Sequence, residues 1–290
     1  MRLVCGIRED AALREAFFDF VPAVFEGLSF REWYERGCWP DSYRPKAIVD
    51  DAGSVLATAA SSRLRVLVDG RVQSALQVAT VGTRPEFRGR GFSRRLLESV
   101  LAEARPDDLV FLYGNDTVHE FYPRFGFRRV VEKEFVRYRT DRRDSGCNAL
   151  RNLRLADGND FETLRSLAHR RAPVTERFGV LDYAPILLWH ALYVVPTALV
   201  LHQPSGSIIA MSREGDRAIV HDFLSGDPGT FARIEDDLFP PEVRELVFEF
   251  TPEKLGVEYE ARSLHPPSDL YVRGTLPLSG DFQFPALART

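Results

Sequence analysis

The segment with the clearest chemical content runs Ala79-Thr-Val-Gly-Thr-Arg-Pro-Glu-Phe-Arg-Gly-Arg-Gly-Phe-Ser93. It leads from the end of an apolar run, through two glycines, into a helical pattern. Gly89 and Gly91 permit positive φ values, so consecutive backbone N–H groups can turn inward. The start of the following helix adds about half a positive charge. Together these make a cradle that a pyrophosphate would satisfy. Two common users of glycine loops do not fit. A nucleoside-triphosphate loop needs Lys and then Ser or Thr after its last glycine, whereas Gly91 is followed by Phe92 with no lysine nearby. A dinucleotide loop needs a glycine at position 94, which is Arg94, and it opens a βαβ unit, while the pattern before this loop is that of an antiparallel meander.

The loop resembles the coenzyme A loop of the GNAT acyltransferase superfamily, of form R/Q-x-x-G-x-G/A, through Arg88-Gly-Arg-Gly91-Phe-Ser93. Serine stands at the last position, where the family has glycine or alanine. The resemblance implies that the backbone of Arg88, Gly89, Arg90, Gly91, Phe92 and Ser93 holds the pyrophosphate of acetyl-CoA, and that Val81, Gly82 and Thr83 hydrogen-bond the pantetheine arm. Arg90, Arg94 and Arg95 are close enough to the loop to meet the 3′-phosphate. A second match follows: Tyr113-Gly-Asn115 leads to Phe121-Tyr122-Pro-Arg-Phe-Gly126-Phe127, similar to the family's N…(F/Y)Y-x-x-x-G-F segment. By that resemblance Asn115 joins the cofactor-binding set, and Tyr122 stands where the family places the phenol that protonates the departing sulfur. The whole chain is similar to the Eis-type subgroup, in which an active GNAT domain precedes a degenerate one, although this sequence leaves no room for that subgroup's third, sterol-carrier-like domain.

The implied reaction is direct attack of an amine on an acetyl thioester, with no covalent enzyme intermediate. With an alkylammonium pKa near 10.4, only roughly one acceptor in 2,500 is neutral at pH 7, a deficit of about 4.6 kcal/mol. A base, a water relay or a desolvating pocket must make up that deficit. The sequence does not single out the base. His119, three residues before Tyr122, can share its helix face, but a solitary histidine is more often a surface or packing residue. Glu86 reads as a solvated carboxylate. Eis-type enzymes use the terminal carboxylate, which here belongs to Thr290, at the end of an apolar tail, Phe282 to Leu287, suited to docking. The acceptor is a small-molecule or peptide amine. A non-catalytic acyl-CoA-binding or sensor protein, retaining the loop without the chemistry, is the rival reading.

These residues need elements to position them. The expected fold class is α/β (α+β), a mixed, mostly antiparallel twisted sheet flanked by helices, in two GNAT-like domains in tandem. Asp10 caps a helix with Leu13, Phe17 and Phe20 at helical spacing, Pro22 starts or kinks a second segment, and Ser29 caps a turn bearing Phe30, Trp33 and Tyr34. These aromatics could wall a pocket, though any one of them is more often ordinary core. Strands follow over 47–49, 54–62, 64–68 and 72–83, with Asp69-Gly70 as a hairpin turn. A helix over 93–104 and a buried strand over 109–113 complete the first unit. The polar stretch after Tyr138 marks a boundary, giving a catalytic domain over 1–140 and a degenerate one over 141–290. The second half repeats the order of elements: helices near 157–171, 183–193 and 229–238, and strands near 197–203, 207–213, 217–224 and 244–250. Its loop, Ser225-Gly-Asp-Pro-Gly-Thr230, places Asp227 where arginines would be wanted, so this half is expected to bind no coenzyme A.

Composition bounds the rest. The chain has 290 residues, 44% hydrophobic and 28% charged, which at roughly 150 residues per domain predicts two domains with their own cores. The 38 basic and 42 acidic residues leave a net charge of −4, too balanced for a protein that coats nucleic acid. No run approaches the ~20 apolar residues of a membrane span. Cys5, Cys38 and Cys147 are too few and scattered for a disulfide framework, so a cytoplasmic location is expected. His169, His190, His202, His221 and His265 show no metal-ligand spacing, and no metal is expected. Assembly into a homo-oligomer stays open.

Overall fold

A computed structural model describes residues 1–115, 118–140 and 149–290. The elements, in chain order, are β1 (Arg2–Val4), α1 (Ala11–Val24), α2 (Arg31–Glu35), β2 (Tyr43–Val49), β3 (Val55–Val68), β4 (Arg71–Thr83), α3 (Phe92–Leu101), β5 (Leu109–Tyr113), β6 (Phe127–Arg129) and β7 (Lys133–Tyr138). There follow β8 (Leu150–Asn152), α4 (Gly158–Arg170), β9 (Phe178–Leu181), α5 (Ala184–Tyr193), β10 (Leu199–His202), β11 (Ser207–Glu214), β12 (Arg217–Leu224), α6 (Thr230–Leu238), β13 (Glu245–Phe248), β14 (Glu260–Ser263) and β15 (Leu270–Arg273).

Local chemistry sets most of these boundaries. Asp10 caps α1, its carboxylate accepting from the N–H groups of Ala12 (2.9 Å) and Leu13 (3.1 Å). Pro22 does not open a new segment: it lies inside α1, whose last turn is pinned by the burial of Phe17, Phe18, Phe20 and Val21. The stretches 54–62 and 64–68 are one strand, β3, not two, because the arginine between them, Arg63, is held at the edge of the core by Asp108 (3.0 Å) without breaking the ladder. Asp69 and Gly70 both take positive φ, 45° and 75°, as the tight hairpin between β3 and β4 requires. On α3, Leu96, Leu97 and Val100 form the buried stripe.

Two sheets result, both mostly antiparallel and flanked by helices. The first has the order β1-β2-β3-β4-β5-β15-β6, with β9 against the far end of β3. The second has the order β14-β7-β13-β12-β11-β10-β8. Each contains one parallel pair, β4 with β5 and β12 with β13, and each pair is joined by one helix, α3 or α6. The same unit is thus built twice, the arrangement expected of two GNAT-like domains in tandem. Strand pairing also crosses the division at 140 and 141: β7 lies in the second sheet, while β9 and β15 complete the first. Residues 141–148 themselves, with Cys147 and the Arg142-Arg143 pair, lie outside the described residues. One core runs through both halves, joining Phe17, Trp33 and Phe111 to Leu164, Leu187 and Phe284.

Candidate active site

β4 and β5 lie side by side from Ala75 and Leu109 to Val78 and Leu112, and then part. The cause is a bulge. The register between β3 and β4 slips between the Ala60–Ala79 and Thr58–Gly82 pairs, and Thr80, at the slip, has a φ of 48°. A β-branched residue in this region costs about 1–3 kcal/mol, so it must be held in place. The Thr80 carbonyl accepts from the Thr58 hydroxyl (2.8 Å), and the Thr80 hydroxyl is hydrogen-bonded to Tyr43 Oη at 2.5 Å. The bulge turns β4 away from β5 and opens a cavity of about 230 Å³ at their diverging ends. Val78, Thr80, Val81, Asn115, Val118 and Tyr122 line one part of it. Phe25, Leu28, Phe30, Trp33, Ile186 and Trp189 line another, together with Arg289 and Thr290.

The glycine loop lies beyond the end of β4. Gly89 and Gly91 have φ of 76° and 78°, and a Cβ at either would meet nothing within 4 Å. The loop is therefore open on its outer side, as an anion cradle must be. Gly91 precedes α3 with no side chain capping the helix, so no side chain competes for its first N–H groups. Thr83 and Ser93 join the two ends of the loop through a hydroxyl–hydroxyl hydrogen bond of 2.8 Å, and Arg88 Nε donates to the Thr83 carbonyl (3.4 Å). Ser93 thus has a structural use that the glycine or alanine of the motif would lack. The Arg90 guanidinium lies over the Phe87 ring (5.1 Å), while Arg94 is paired with Glu98 (3.0 Å). Gly82 allows α1 to approach β4: a Cβ there would come within 2.6 Å of the Phe25 ring.

Tyr122 begins a single 3-10 turn, Tyr122–Phe125, with Pro123 at its second position. Its buried ring packs on Phe121 (5.3 Å) and Tyr271 (5.7 Å). Gly114 makes room for it, since a Cβ at 114 would crowd Tyr271, Val118 and Tyr122. Burial, with a smaller contribution from Tyr271, pushes the Tyr122 phenol up to about 12, so it carries its proton at neutral pH. His119 is exposed and does not line the cavity; its Nδ1 is hydrogen-bonded to Tyr271 Oη at 2.7 Å, one ring removed from Tyr122. Glu86 is exposed in the turn before the loop.

The end of the chain is held from three sides. In the amide orientation its neighbours require, the buried Gln77 of β4 accepts from the Thr290 N–H (3.2 Å) and donates to Thr290 Oγ1 (2.9 Å) and the Ala288 carbonyl (3.3 Å). His190 of α5 donates from Nε2 to the Arg289 carbonyl at 2.7 Å. Burial first, and the nearby Arg289 charge, lower His190 to about 4, so it is neutral at pH 7. The Arg289 guanidinium lies over the Tyr113 ring (4.3 Å) and 3.9 Å from Glu132. Glu132 is itself buried, accepting from the Tyr113 hydroxyl (3.0 Å), the Phe284 N–H (2.7 Å) and the Ser268 hydroxyl. Burial opposes the charge on Arg289, but Tyr113, Glu132 and Glu249 outweigh it and raise its pKa. Sequence reasoning missed Thr80, Gln77, Glu132 and Arg289. Gln77 carried a signal, being a lone polar residue between apolar neighbours in a strand, whereas Glu132, followed by Lys133 and Glu134, carried none.

The equivalent loop of the second half is built differently. Gly226 and Gly229 do not adopt positive φ, and Asp227 occupies the helix start: its carboxylate accepts from the Gly229 N–H (3.0 Å) and from Arg233 (2.9 Å). Arg233 first, then that N–H, hold Asp227 below the usual carboxylate range. An internal anion sits where an external one would have to bind. Among the described residues no cluster of three metal-ligating side chains occurs, and no helix is long and apolar enough to cross a membrane.

These features define a class. Residues 11–130 match the family model of the acetyltransferase (GNAT) domain, and the chain carries a GNAT acetyltransferase domain over that span. No curated relative matches the sequence. Among solved structures, Eis1 from Mycobacterium abscessus is 16% identical with a TM-score of 0.57, the match covering 93% of this chain and 73% of that one. A GCN5-related N-acetyltransferase from Kribbella flavida is 18% identical with a TM-score of 0.56, covering 93% and 70%. At such identities the likeness establishes the fold.

Proposed function

We propose that this chain is an acetyl-CoA-dependent N-acetyltransferase, in which the amine attacks the thioester directly. The observation that carries this reading is the cavity at the split between β4 and β5, lined by the buried, protonated phenol of Tyr122 and followed, beyond the end of β4, by an open, uncapped anion loop. The backbone of residues 88–93 would hold the pyrophosphate, Arg90 would remain near the 3′-phosphate, and the edge Val81–Thr83, with Asn115, would bind the pantetheine arm.

In the reaction the amine nitrogen bonds to the acetyl carbon, the C–S bond breaks, and the electron pair leaves on sulfur, which takes a proton from Tyr122 Oη. A phenol near 12 is a weaker acid than a free thiol near ~8.5. The transfer is nonetheless reasonable because the same burial that raises the phenol also raises the thiol. The acceptor must lose its own proton. The apolar lining assists by disfavouring an ammonium ion, and the Thr290 carboxylate, seated in the cavity by Gln77 and His190, is the proposed proton acceptor. His119 acts through Tyr271 as a positioning residue.

The test is the Tyr122→Phe protein. Amine-dependent release of free thiol from acetyl-CoA should fall about 10²-fold, while acetyl-CoA affinity stays within about twofold. Unchanged turnover removes Tyr122 from the mechanism. Saturable acetyl-CoA binding by the unaltered protein with no amine-dependent thiol release indicates a non-catalytic acyl-CoA sensor.

A further inference from the structure

The acceptor side of the cavity carries more information than the reaction class, and its reading rests on the acyl-transfer function proposed above. Phe30, Trp33 and Tyr43 come from the first half of the chain, and Ile186 and Trp189 from α5 in the second. The two sets meet directly, with the Phe30 and Trp189 rings 5.6 Å apart. Every polar atom on these rings is already engaged within the protein. The Trp33 indole N–H donates to the Pro185 carbonyl (2.8 Å), the Trp189 indole N–H to the Ser29 carbonyl (2.9 Å), and the Tyr43 hydroxyl pairs with Thr80. What remains for a ligand is carbon and π surface. Among the described lining residues there is no Asp or Glu side chain.

We infer that the acceptor is a small primary amine with a single cationic centre on a flat, apolar body, an arylalkylamine, rather than a polyamine or an amino sugar. Three properties point the same way. Aromatic faces with no spare donor or acceptor favour a ring over a polyol, whose hydroxyls would go unpaired. One ammonium can rest against the faces of Trp and Tyr rings within reach of the Thr290 carboxylate, but further ammonium groups buried with no Asp or Glu side chain to meet them are strongly disfavoured. The volume, about 230 Å³, lies below the range usual for drug-sized ligands and must also admit the acetyl end of the donor. Trp189 is then a specificity residue, brought to the catalytic half by the second domain.

The experiment compares 2-phenylethylamine, spermidine and kanamycin as acceptors for the full chain with acetyl-CoA. In parallel, quenching of tryptophan emission reports binding of each amine without acetyl-CoA, since two of the three tryptophans line the cavity. The expected result is a kcat/KM for 2-phenylethylamine at least about 100-fold above both polycations, equivalent to about 2.7 kcal/mol. Trp189→Ala should raise KM for 2-phenylethylamine at least tenfold, on the order of one lost aromatic contact, with KM for acetyl-CoA unchanged, and Trp189→Phe should restore most of the loss. If Trp189→Ala does not fold, Leu28→Glu serves instead, moving preference toward spermidine. Turnover of spermidine or kanamycin as fast as 2-phenylethylamine overturns the inference and leaves acyl transfer standing. Quenching by 2-phenylethylamine alone, with no turnover of any amine, supports the acceptor class and overturns acyl transfer. Neither quenching nor turnover overturns both.

Discussion

His190 makes the anchoring of the chain's last residues sensitive to acid in a way that can be calculated. It is buried in α5, donates through Nε2 to the Arg289 carbonyl, and has no partner at Nδ1. Protonation would add an N–H there with nothing to receive it. Burial is the largest influence on this group. The Arg289 charge adds to it, while Glu249, Asp222 and the Arg289 carbonyl oppose it, and the balance takes the pKa from 6.5 to about 4. As pH falls below 6.5 the unfolded chain takes up a proton that the folded chain refuses until about pH 4, so the folded state loses stability on acidification. The loss is about 2 kcal/mol between pH 7 and pH 5, and it approaches about 3.4 kcal/mol below pH 4. Urea unfolding at pH 7 and pH 5 measures it, with His190→Gln as the comparison, because a glutamine amide can donate to the same carbonyl without titrating. The unaltered protein should lose about 2 kcal/mol more than the variant over this interval. Parallel losses in the two proteins would show that His190 either reaches water or already holds a proton, and would refute the argument.

Two further outcomes follow from the loop and the strand beside it. Gly82→Ala should destabilise the protein by about 1–3 kcal/mol and raise KM for the amine acceptor more than for acetyl-CoA, because its Cβ would displace the Phe25 ring, which lines the cavity. Thermal unfolding and steady-state kinetics check both effects, and an unchanged melting temperature would show that Phe25 moves freely. Titration calorimetry should give one coenzyme A per chain, since Asp227 fills the anion position of the second half. A stoichiometry of two would mean that this carboxylate can be displaced.

The backbone geometry of the glycine loop was legible in the linear sequence because all of it is local. A glycine loop between a strand and a helix is a short-range object, and the positive φ at Gly89 and Gly91 and the uncapped start of α3 follow from residue types within a few positions. The order of helices and strands was readable for the same reason, through periodicity. Asp227 was visible as a misfit in the second loop before its bond to Arg233 was known.

The aromatic wall of the cavity was not legible, because its parts are brought together by long-range packing. Phe30 and Trp189 are far apart in the chain, and either alone reads as core. They form one wall only because the two halves share a hydrophobic core. β9 and β15 escaped notice as members of the first sheet because a strand's partner is chosen by which sheet edge the fold leaves open. The bulge at Thr80 arises from register across β3 and β4, not from any preference of threonine for a positive φ. The sequence by itself therefore determined what the loop can hold, through backbone geometry that nearby residues dictate. Only the tertiary structure decided what lies opposite it, because burial and close approach depend on residues that meet solely in the folded chain.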